Sequence, residues 1–318
     1  MKYKRLGKTG IEVSEVGFGV LTVGASQLNL DVDEGAKVIR YALSKGFNFL
    51  DTAQYYDTYR FIRKALEGTD YNPVICSKSL DYTYEDMEYA IKEALEALNR
   101  DYIDIFLMHE VREGSDLDDR AGAWQCLIDY KEKGIVKAIG ISTHHVDVTE
   151  RAADIPEMDI IFSLINYASL GIRKGSGYGT CEEMEAAIRK ASDKGIGIFS
   201  MKTFGGGNLT GTYQKALDYG RSVYGVNSLM VGFGKVSEVD QMLDYLEGRM
   251  DKDFQPDVSK KRIRIDQSDC EGCGACKERC PNHAIYWNEN GLADVNHNIC
   301  LTCGYCAPVC PVRAIIMF

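Results

Sequence analysis

Apolar positions along this chain recur on two periods. Short strand-like runs alternate with longer stretches whose apolar residues return every three to four positions. The runs fall at Val16–Gly19, Asn48–Leu50, Val74–Cys76, Ile103–Met108, Val136–Ile141, Ile160–Ile165, Gly197–Ser200 and Leu229–Val231. A hairpin over about residues 2–6 and 11–15 precedes them. Helical patterns such as Glu85–Asn99 and Cys181–Lys194 lie between the runs, and Gly46, Gly134 and Gly195 stand at helix stops. Eight such strand–helix units in about 240 residues predict an α/β fold, a TIM-type (β/α)8 barrel. A doubly wound open sheet is the alternative. No G-x-G-x-x-G follows the first strand, and Gly17-Phe18-Gly19 is too short a glycine signal to support that sheet.

The pattern changes character near residue 262, where cysteine takes over. Eight of the eleven cysteines form two copies of one motif: Cys270-x2-Cys273-x2-Cys276-x3-Cys280-Pro281 and Cys300-x2-Cys303-x2-Cys306-x3-Cys310-Pro311. A cubane cluster needs four soft thiolates converging from several directions. A C-x2-C-x2-C loop wraps three of them, and in this run the fourth ligates the other cluster. Two [4Fe–4S] clusters are therefore predicted, one on Cys270, Cys273, Cys276 and Cys310, the other on Cys300, Cys303, Cys306 and Cys280. The motifs repeat at 30 residues, and Ala284-Ile285 echoes Ala314-Ile315. Such duplication resembles a pseudo-symmetric bacterial-type ferredoxin. Small residues between the ligands, such as Gly272, Gly274, Ala275 and Gly304, let backbone N–H groups approach the sulfurs. Zinc is the plainer alternative, but zinc ribbons do not need three cysteines at this spacing followed by Cys-Pro. Cys76, Cys126 and Cys181 sit in apolar or helical settings and read as buried structural thiols.

The resulting layout is a barrel over residues 1–248, a linker at 249–261 and a small α+β ferredoxin-like domain at 262–318. Composition limits what this layout can do. A formal charge of −10 in 318 residues disfavours nucleic-acid binding, because no basic stripe is available for phosphates. From Lys260 onward seven Lys/Arg meet six Asp/Glu, so the acidity belongs to the barrel. No apolar run approaches the roughly 20 residues that span a bilayer. The opening Met1-Lys2-Tyr3-Lys4-Arg5 has no apolar segment behind it, so no secretion signal is read there. Many cysteines without an export signal point to metal or redox use in the cytoplasm.

Barrel enzymes carry chemistry at the C-terminal ends of their strands. Strand two ends in Asp51, strand three leads into Lys78 and strand four ends in His109, with Tyr56 in the loop after Asp51. Each alone reads as a cap, a surface charge or a packed side chain. Together they place an acid, an ammonium, an imidazole and a phenol on one rim.

The segment Tyr3 to Gly19 resembles the opening of aldo/keto reductases. Asp51-Thr52-Ala53-Gln54-Tyr55-Tyr56 resembles their D-T-A-x-x-Y motif, and Asp101-Tyr102-Ile103-Asp104 leading to His109 resembles their fourth-strand segment. The resemblance covers about residues 1–248 and extends to a subgroup with a ferredoxin-type tail. It implies that Asp51, Tyr56, Lys78 and His109 form a catalytic tetrad reducing a small carbonyl compound or oxidising an alcohol. Tyr56 would be the acid/base, its pKa lowered by Lys78, and a redox protein would exchange electrons with the clusters. It also implies NADP(H) or NAD(H), with contacts at Ser142, Thr143, Asn166 and Gly232. Several positions depart from the family. Thr143 replaces an expected Asn, Phe162 a common Gln and Met201 a stacking aromatic. Glu238 falls where an Arg grips the 2′-phosphate, and Met242 replaces an Asn. A carboxylate facing a phosphate repels it, which leaves a cluster-driven reductase independent of NADPH as the alternative. Asp57 stands where Gly is usual, and Tyr55 and Tyr59 lie close by, so the choice of Tyr56 rests on spacing. The glycine loops Gly205-Gly206-Gly207 and Gly175-Ser176-Gly177-Tyr178-Gly179, and His144 and His145, read equally as ligand-facing or as solvated.

Overall fold

The computed structural model describes residues 1–25, 27–257, 262–280, 282–300 and 304–317. A hairpin, β1 (Tyr3–Arg5) and β2 (Glu12–Ser14), opens the chain. Barrel strands follow: β3 (Val16–Gly19), β4 (Phe49–Asp51), β5 (Val74–Ser79), β6 (Ile103–Met108), β7 (Val136–Thr143) and β8 (Ile160–Leu164). After the short ribbon β9 (Arg173–Lys174) and β10 (Gly177–Tyr178), β11 (Gly197–Met201) and β12 (Val226–Val231) complete the set. All eight pair in parallel, and β12 returns to β3, so the sheet is a closed barrel without edges. Closure decides between the two sheet architectures the alternation allowed.

The outer layer consists of α1 (Val32–Ser44), α2 (Tyr59–Leu66), α3 (Tyr84–Leu98), α4 (Gly114–Asp119), α5 (Ala121–Glu132), α6 (Val146–Ala152), α7 (Cys181–Asp193), α8 (Tyr213–Ser222) and α9 (Val236–Leu246). Local chemistry sets their ends. Thr83 caps α3 by accepting the Asp86 N–H at 3.1 Å, and Asn99 stops the helix in a left-handed conformation. Thr180 and Glu183 form a reciprocal capping box on α7. Inside the barrel Phe49, Ile105, Ile160, Phe162 and Phe199 interlock. The Phe162 and Phe199 rings stack at 4.2 Å. Leu6 and Val13 of the first hairpin close the floor of this core, each burial contributing about 1.5–3 kcal/mol. The site must therefore lie at the opposite mouth.

The remaining chain forms β13 (Ile263–Ile265), α10 (Ala275–Arg279), β14 (Ile285–Trp287), β15 (Ala293–Val295) and β16 (Ile315–Met317). β13 pairs antiparallel with β16 and β14 with β15. Their inward isoleucines pack with Cys276, Cys306 and Cys310 in a small core. Such a core is too thin to be self-sufficient, so cluster ligation matters to its stability. Among the described residues no helix is long and apolar enough to cross a membrane.

Candidate active site at the barrel mouth

The strand ends converge as their spacing predicts. Asp51 ends β4 and Lys78 lies within β5, one residue from its end. Both are buried, and Lys78 Nζ stands 2.9 Å from Asp51 Oδ1. That contact is angled as an ion pair, since Asp51 Oδ1 has no hydrogen-bond partner. Lys78 Nζ instead donates to the Thr52 carbonyl at 2.6 Å. A single 3-10 turn, Gln54–Tyr56, carries the phenol. It is closed by Asp57 at φ 52, a left-handed position that Gly takes easily and Asp tolerates. Of the three neighbouring tyrosines, Tyr55 is 63% exposed and Tyr59 is tied to Ser77 Oγ at 2.6 Å. Tyr56 alone of the three meets His109, its hydroxyl 3.3 Å from Nε2. Lys78 Nζ lies 4.8 Å from the centre of the Tyr56 ring.

Burial rules the electrostatics here. It raises the Tyr56 pKa, and the Lys78 charge opposes it without prevailing. The sequence-based expectation of a lowered phenol pKa is thus corrected: desolvation of the phenol outweighs one cation. Burial likewise raises Asp51 against the pull of Lys78. It acts against the Lys78 charge too, but Asp51 and its neighbours more than offset it and hold the ammonium above its ordinary value. Burial, then Lys78, keeps His109 well below the usual imidazole range, hence neutral. With a neutral ring, an Nε2–H can donate to the Tyr56 oxygen and leave the phenolic proton free for a ligand.

One supporting residue gave no sequence signal. Arg120, just ahead of α5, is 2% exposed. Its guanidinium donates to the carbonyls of Asp81 at 3.0 Å, Ser79 at 3.0 Å and His109 at 2.8 Å. These bonds fix the ends of two strands, and with them the position of His109. In sequence Arg120 looks like an ordinary helix charge.

Above the tetrad lies a cavity of about 1040 Å³. Asp51, Tyr56 and His109 line it, and so does Cys270, the first thiol of the cysteine array. The small domain sits across the barrel mouth. Arg112 donates to the Ser268 carbonyl at 2.9 Å and pairs with Asp269 at 3.8 Å. Lys202 reaches the same carboxylate at 3.4 Å, and Arg173 pairs with Glu271 at 3.3 Å. Gly206 accepts the Met317 N–H at 2.8 Å. The Gly205-Gly206-Gly207 loop is thus a seat for β16: a Cβ on Gly207, at φ 84, would overlap the Met317 carbonyl oxygen. The second glycine loop forms β9–β10, with Gly175 and Ser176 on the cavity rim. His144 and His145 both line the cavity, and His145 is buried there.

Ser142, Thr143 and Gly232 line this cavity, whereas Asn166 does not. The Asn166 amide donates to the Leu170 and Lys202 carbonyls and accepts from the Ala168 and Leu170 N–H groups, so its polar capacity is committed to its own loop and to the end of β11. Ser142 Oγ accepts the Glu110 N–H, and Thr143 Oγ1 donates to the Val111 carbonyl. Gly232 gives room to Thr22, whose Oγ1 a Cβ would overlap. At the head of α9, Glu238 Oε2 accepts the Gly234 N–H at 2.7 Å, filling with a carboxylate the place where an anion would dock.

In the small domain the Cys276 thiol is pushed up to about 11 by burial, with Cys310, Cys270 and Cys273 as the charges next to it. Cys306, pushed up to about 12 by burial, has Cys276, Cys300 and Cys280 as neighbours. Cys303 lies outside the described residues. The Ala284 N–H donates to Cys280 Sγ at 3.3 Å and the Ala314 N–H to Cys310 Sγ at 3.3 Å. This accounts for the repeated Ala-Ile pair: the Ala supplies an N–H to sulfur and the Ile fills the core. Among the described residues no three His, Cys, Asp or Glu side chains are grouped for a single metal ion. The wider four-iron cubane does not ask for such a grouping. Cys76, Cys126 and Cys181 are buried free thiols.

Residues 15–223 match the Aldo/keto reductase family, and residues 263–317 match a 4Fe-4S dicluster domain. Among curated proteins the chain is 25% identical to L-galactose dehydrogenase of Arabidopsis thaliana, over 66% of this chain and 67% of that protein. It is 23% identical to an uncharacterized oxidoreductase of Bacillus subtilis, over 52% and 58%, and 30% identical to a probable aldo-keto reductase of Glycine max, over 46% of each. The chain thus spans about half to two thirds of these relatives. A putative aldo-keto reductase from Pseudomonas aeruginosa shares the fold with a TM-score of 0.66, 21% identity, and coverage of 78% of this chain and 96% of that one. An aldo/keto reductase from Brucella melitensis does so with a TM-score of 0.60, 18% identity, and coverage of 79% and 95%.

Proposed function

Because this chain belongs to the aldo/keto reductase family and carries a 4Fe-4S dicluster domain, we propose that it is an oxidoreductase that reduces a small aldehyde or ketone, or oxidises the alcohol, with Tyr56 as acid/base. One observation carries this reading: Tyr56 and Cys270 line the same cavity. Cys270, Cys273, Cys276 and Cys310 would hold one [4Fe–4S] cluster, and Cys300, Cys303, Cys306 and Cys280 the second. The donor set fits, since thiols from both motifs are neighbours and backbone N–H groups already point at two of the sulfurs. Bound there, the clusters would supply single electrons at the wall of the cavity.

The protein's own groups handle the proton. A carbonyl oxygen beside Tyr56 gains negative charge as it is reduced, and the phenol donates its proton to it. His109, neutral, holds the phenol oxygen from the side. Lys78, over the ring, stabilises the phenolate left behind, and Asp51 keeps Lys78 fixed and charged. Lys78, Asp51 and His109 are buried, so each of these interactions counts for more than it would in bulk solvent.

A second reading is that the clusters, and not NADP(H) or NAD(H), are the working reductant. The carboxylate of Glu238 at the head of α9 supports it, together with the internally bonded Asn166. Residues so placed do not fit a 2′-phosphorylated nicotinamide. The test is anaerobic turnover of an aldehyde panel with reduced methyl viologen. Tyr56→Phe should lower kcat by about 10²–10⁴ with KM little changed; full activity in that variant would overturn the acid/base role. Carbonyl turnover driven by NADPH or NADH would overturn the second reading alone.

A further inference from the structure

When a carbonyl is reduced by single electrons, the hydrogen on carbon has to arrive as a proton, since no hydride carries it. Two proton donors are then needed, and Tyr56 supplies only the one on oxygen. The barrel brings up a second group. Ile105 and Leu107 of β6 and Ala138 of β7 face inward. Side chains alternate along a strand, so His109 continues the inward set of β6 and His144 that of β7. Leu107 pairs with Gly140, which sets His109 level with Ser142 and His144 one inward step beyond, toward the small domain. Both imidazoles line the cavity, as do Tyr56, Asp266 and Cys270.

The other polar groups near this level are already engaged. Lys202 and Arg112 hold Asp269, and Arg112 also pairs with Glu110 at 2.8 Å. Asp266 Oδ1 accepts the Ser268 N–H at 3.0 Å and the Ser268 hydroxyl at 2.7 Å. His109 is held to Tyr56, and His145 turns toward Asp147 at 4.0 Å. The His144 ring makes no hydrogen bond to another described residue; only its backbone carbonyl is engaged, by the Arg173 N–H at 2.9 Å. Burial, then Lys202, holds the ring below the ordinary imidazole value, while Asp266 pulls the other way. It is therefore neutral at rest. A neutral imidazole passes a proton on by releasing N–H from one nitrogen as the other takes a proton up.

We propose that His144 is the proton donor to the carbonyl carbon, acting from the small-domain side of the cavity while Tyr56 protonates the oxygen. The proposal rests on the reading that the clusters are the working reductant. Two electrons enter one at a time from the external reductant. Two protons come from solvent, one through Tyr56 and one through His144. The carbonyl π bond is replaced by one C–H and one O–H bond, so atoms and electrons balance. The Asp266 carboxylate, whose charge bears on both Tyr56 and His144, favours the positive charge that passes through the imidazole.

The test is anaerobic reduction in D2O, with reduced methyl viologen, of the aldehyde that wild type turns over fastest. Wild type should place one deuterium on the carbinol carbon and give a single enantiomer. His144→Ala should lower kcat by about 10²–10⁴ and give a deuterated but racemic alcohol, because solvent then protonates either face. Added imidazole should restore the rate of that variant in proportion to its concentration. Visible absorbance checks that the clusters are retained; should His144→Ala lose them, His144→Gln takes its place. A variant with the rate and enantiomeric purity of wild type would overturn the donor role. Racemisation by Asp266→Asn but not by His144→Ala would overturn it in favour of the carboxylate. A wild-type product without deuterium on carbon, or turnover that requires NADPH or NADH, would overturn the underlying reading, and the proposal with it.

Discussion

Lys78→Met removes an ammonium 2.9 Å from Asp51 Oδ1 while keeping a side chain of similar length. Lys78 is 0% exposed and Asp51 6%, so the variant leaves a lone carboxylate in the barrel interior. Removing one member of such a pair costs about 3–5 kcal/mol, and the 2.6 Å bond to the Thr52 carbonyl goes with it. Asp51 relieves part of that cost by taking up a proton. Burial already raises its pKa and Lys78 is the largest opposing influence, so without Lys78 the pKa climbs further. A folded-state pKa above the unfolded value means the native chain holds a proton that unfolding releases. Stability then falls by about 1.4 kcal/mol per pH unit from the ordinary carboxylate range up to the raised value. The gap between wild type and variant should thus be small near about pH 5 and reach several kcal/mol near about pH 8. Urea unfolding followed by far-ultraviolet circular dichroism, under strict exclusion of air, measures it. Adding Asp51→Asn should recover most of the loss, because no charge remains unpaired. A gap below about 1 kcal/mol at the higher pH, or one that ignores pH, would refute a buried charged pair.

Two further predictions concern acid and docking. His109, His144 and His145 are all held below the ordinary imidazole value, first by burial. The unfolded chain therefore takes up protons that the folded one refuses. Stability should fall as pH drops below about 6.5, by up to about 1.4 kcal/mol per unit for each ring. His109→Asn should flatten the urea-midpoint profile in that range, and an unchanged slope would argue against a neutral buried His109. Gly207→Ala meets strain of about 1–2 kcal/mol from its φ of 84 and overlap with the Met317 carbonyl. Its expected effect is faster tryptic cleavage between residues 249 and 262 and loss of carbonyl turnover with the clusters retained. An unaltered digestion pattern would show that β16 does not need this seat.

The sequence determined the parts. Alternation of strand and helix periods predicted the (β/α)8 barrel, and position at strand ends marked Asp51, Lys78 and His109, because a barrel puts every strand end on one rim. The cysteine spacing was legible for the same reason: a chelating loop is a local object. Spacing could not separate Tyr56 from Tyr55 and Tyr59. That needed the turn that points one phenol at His109 and buries another against Ser77. The tertiary structure alone decided what depends on distant segments meeting. Asp269 finds Arg112 and Lys202, far apart from it in the chain, Arg120 becomes a clamp on His109, and Cys270 comes to line the cavity above Tyr56. It also set the sign of the Tyr56 shift. A motif shows which charges are near, but only the packed fold fixes how much water is lost, and here that loss outweighs the cation.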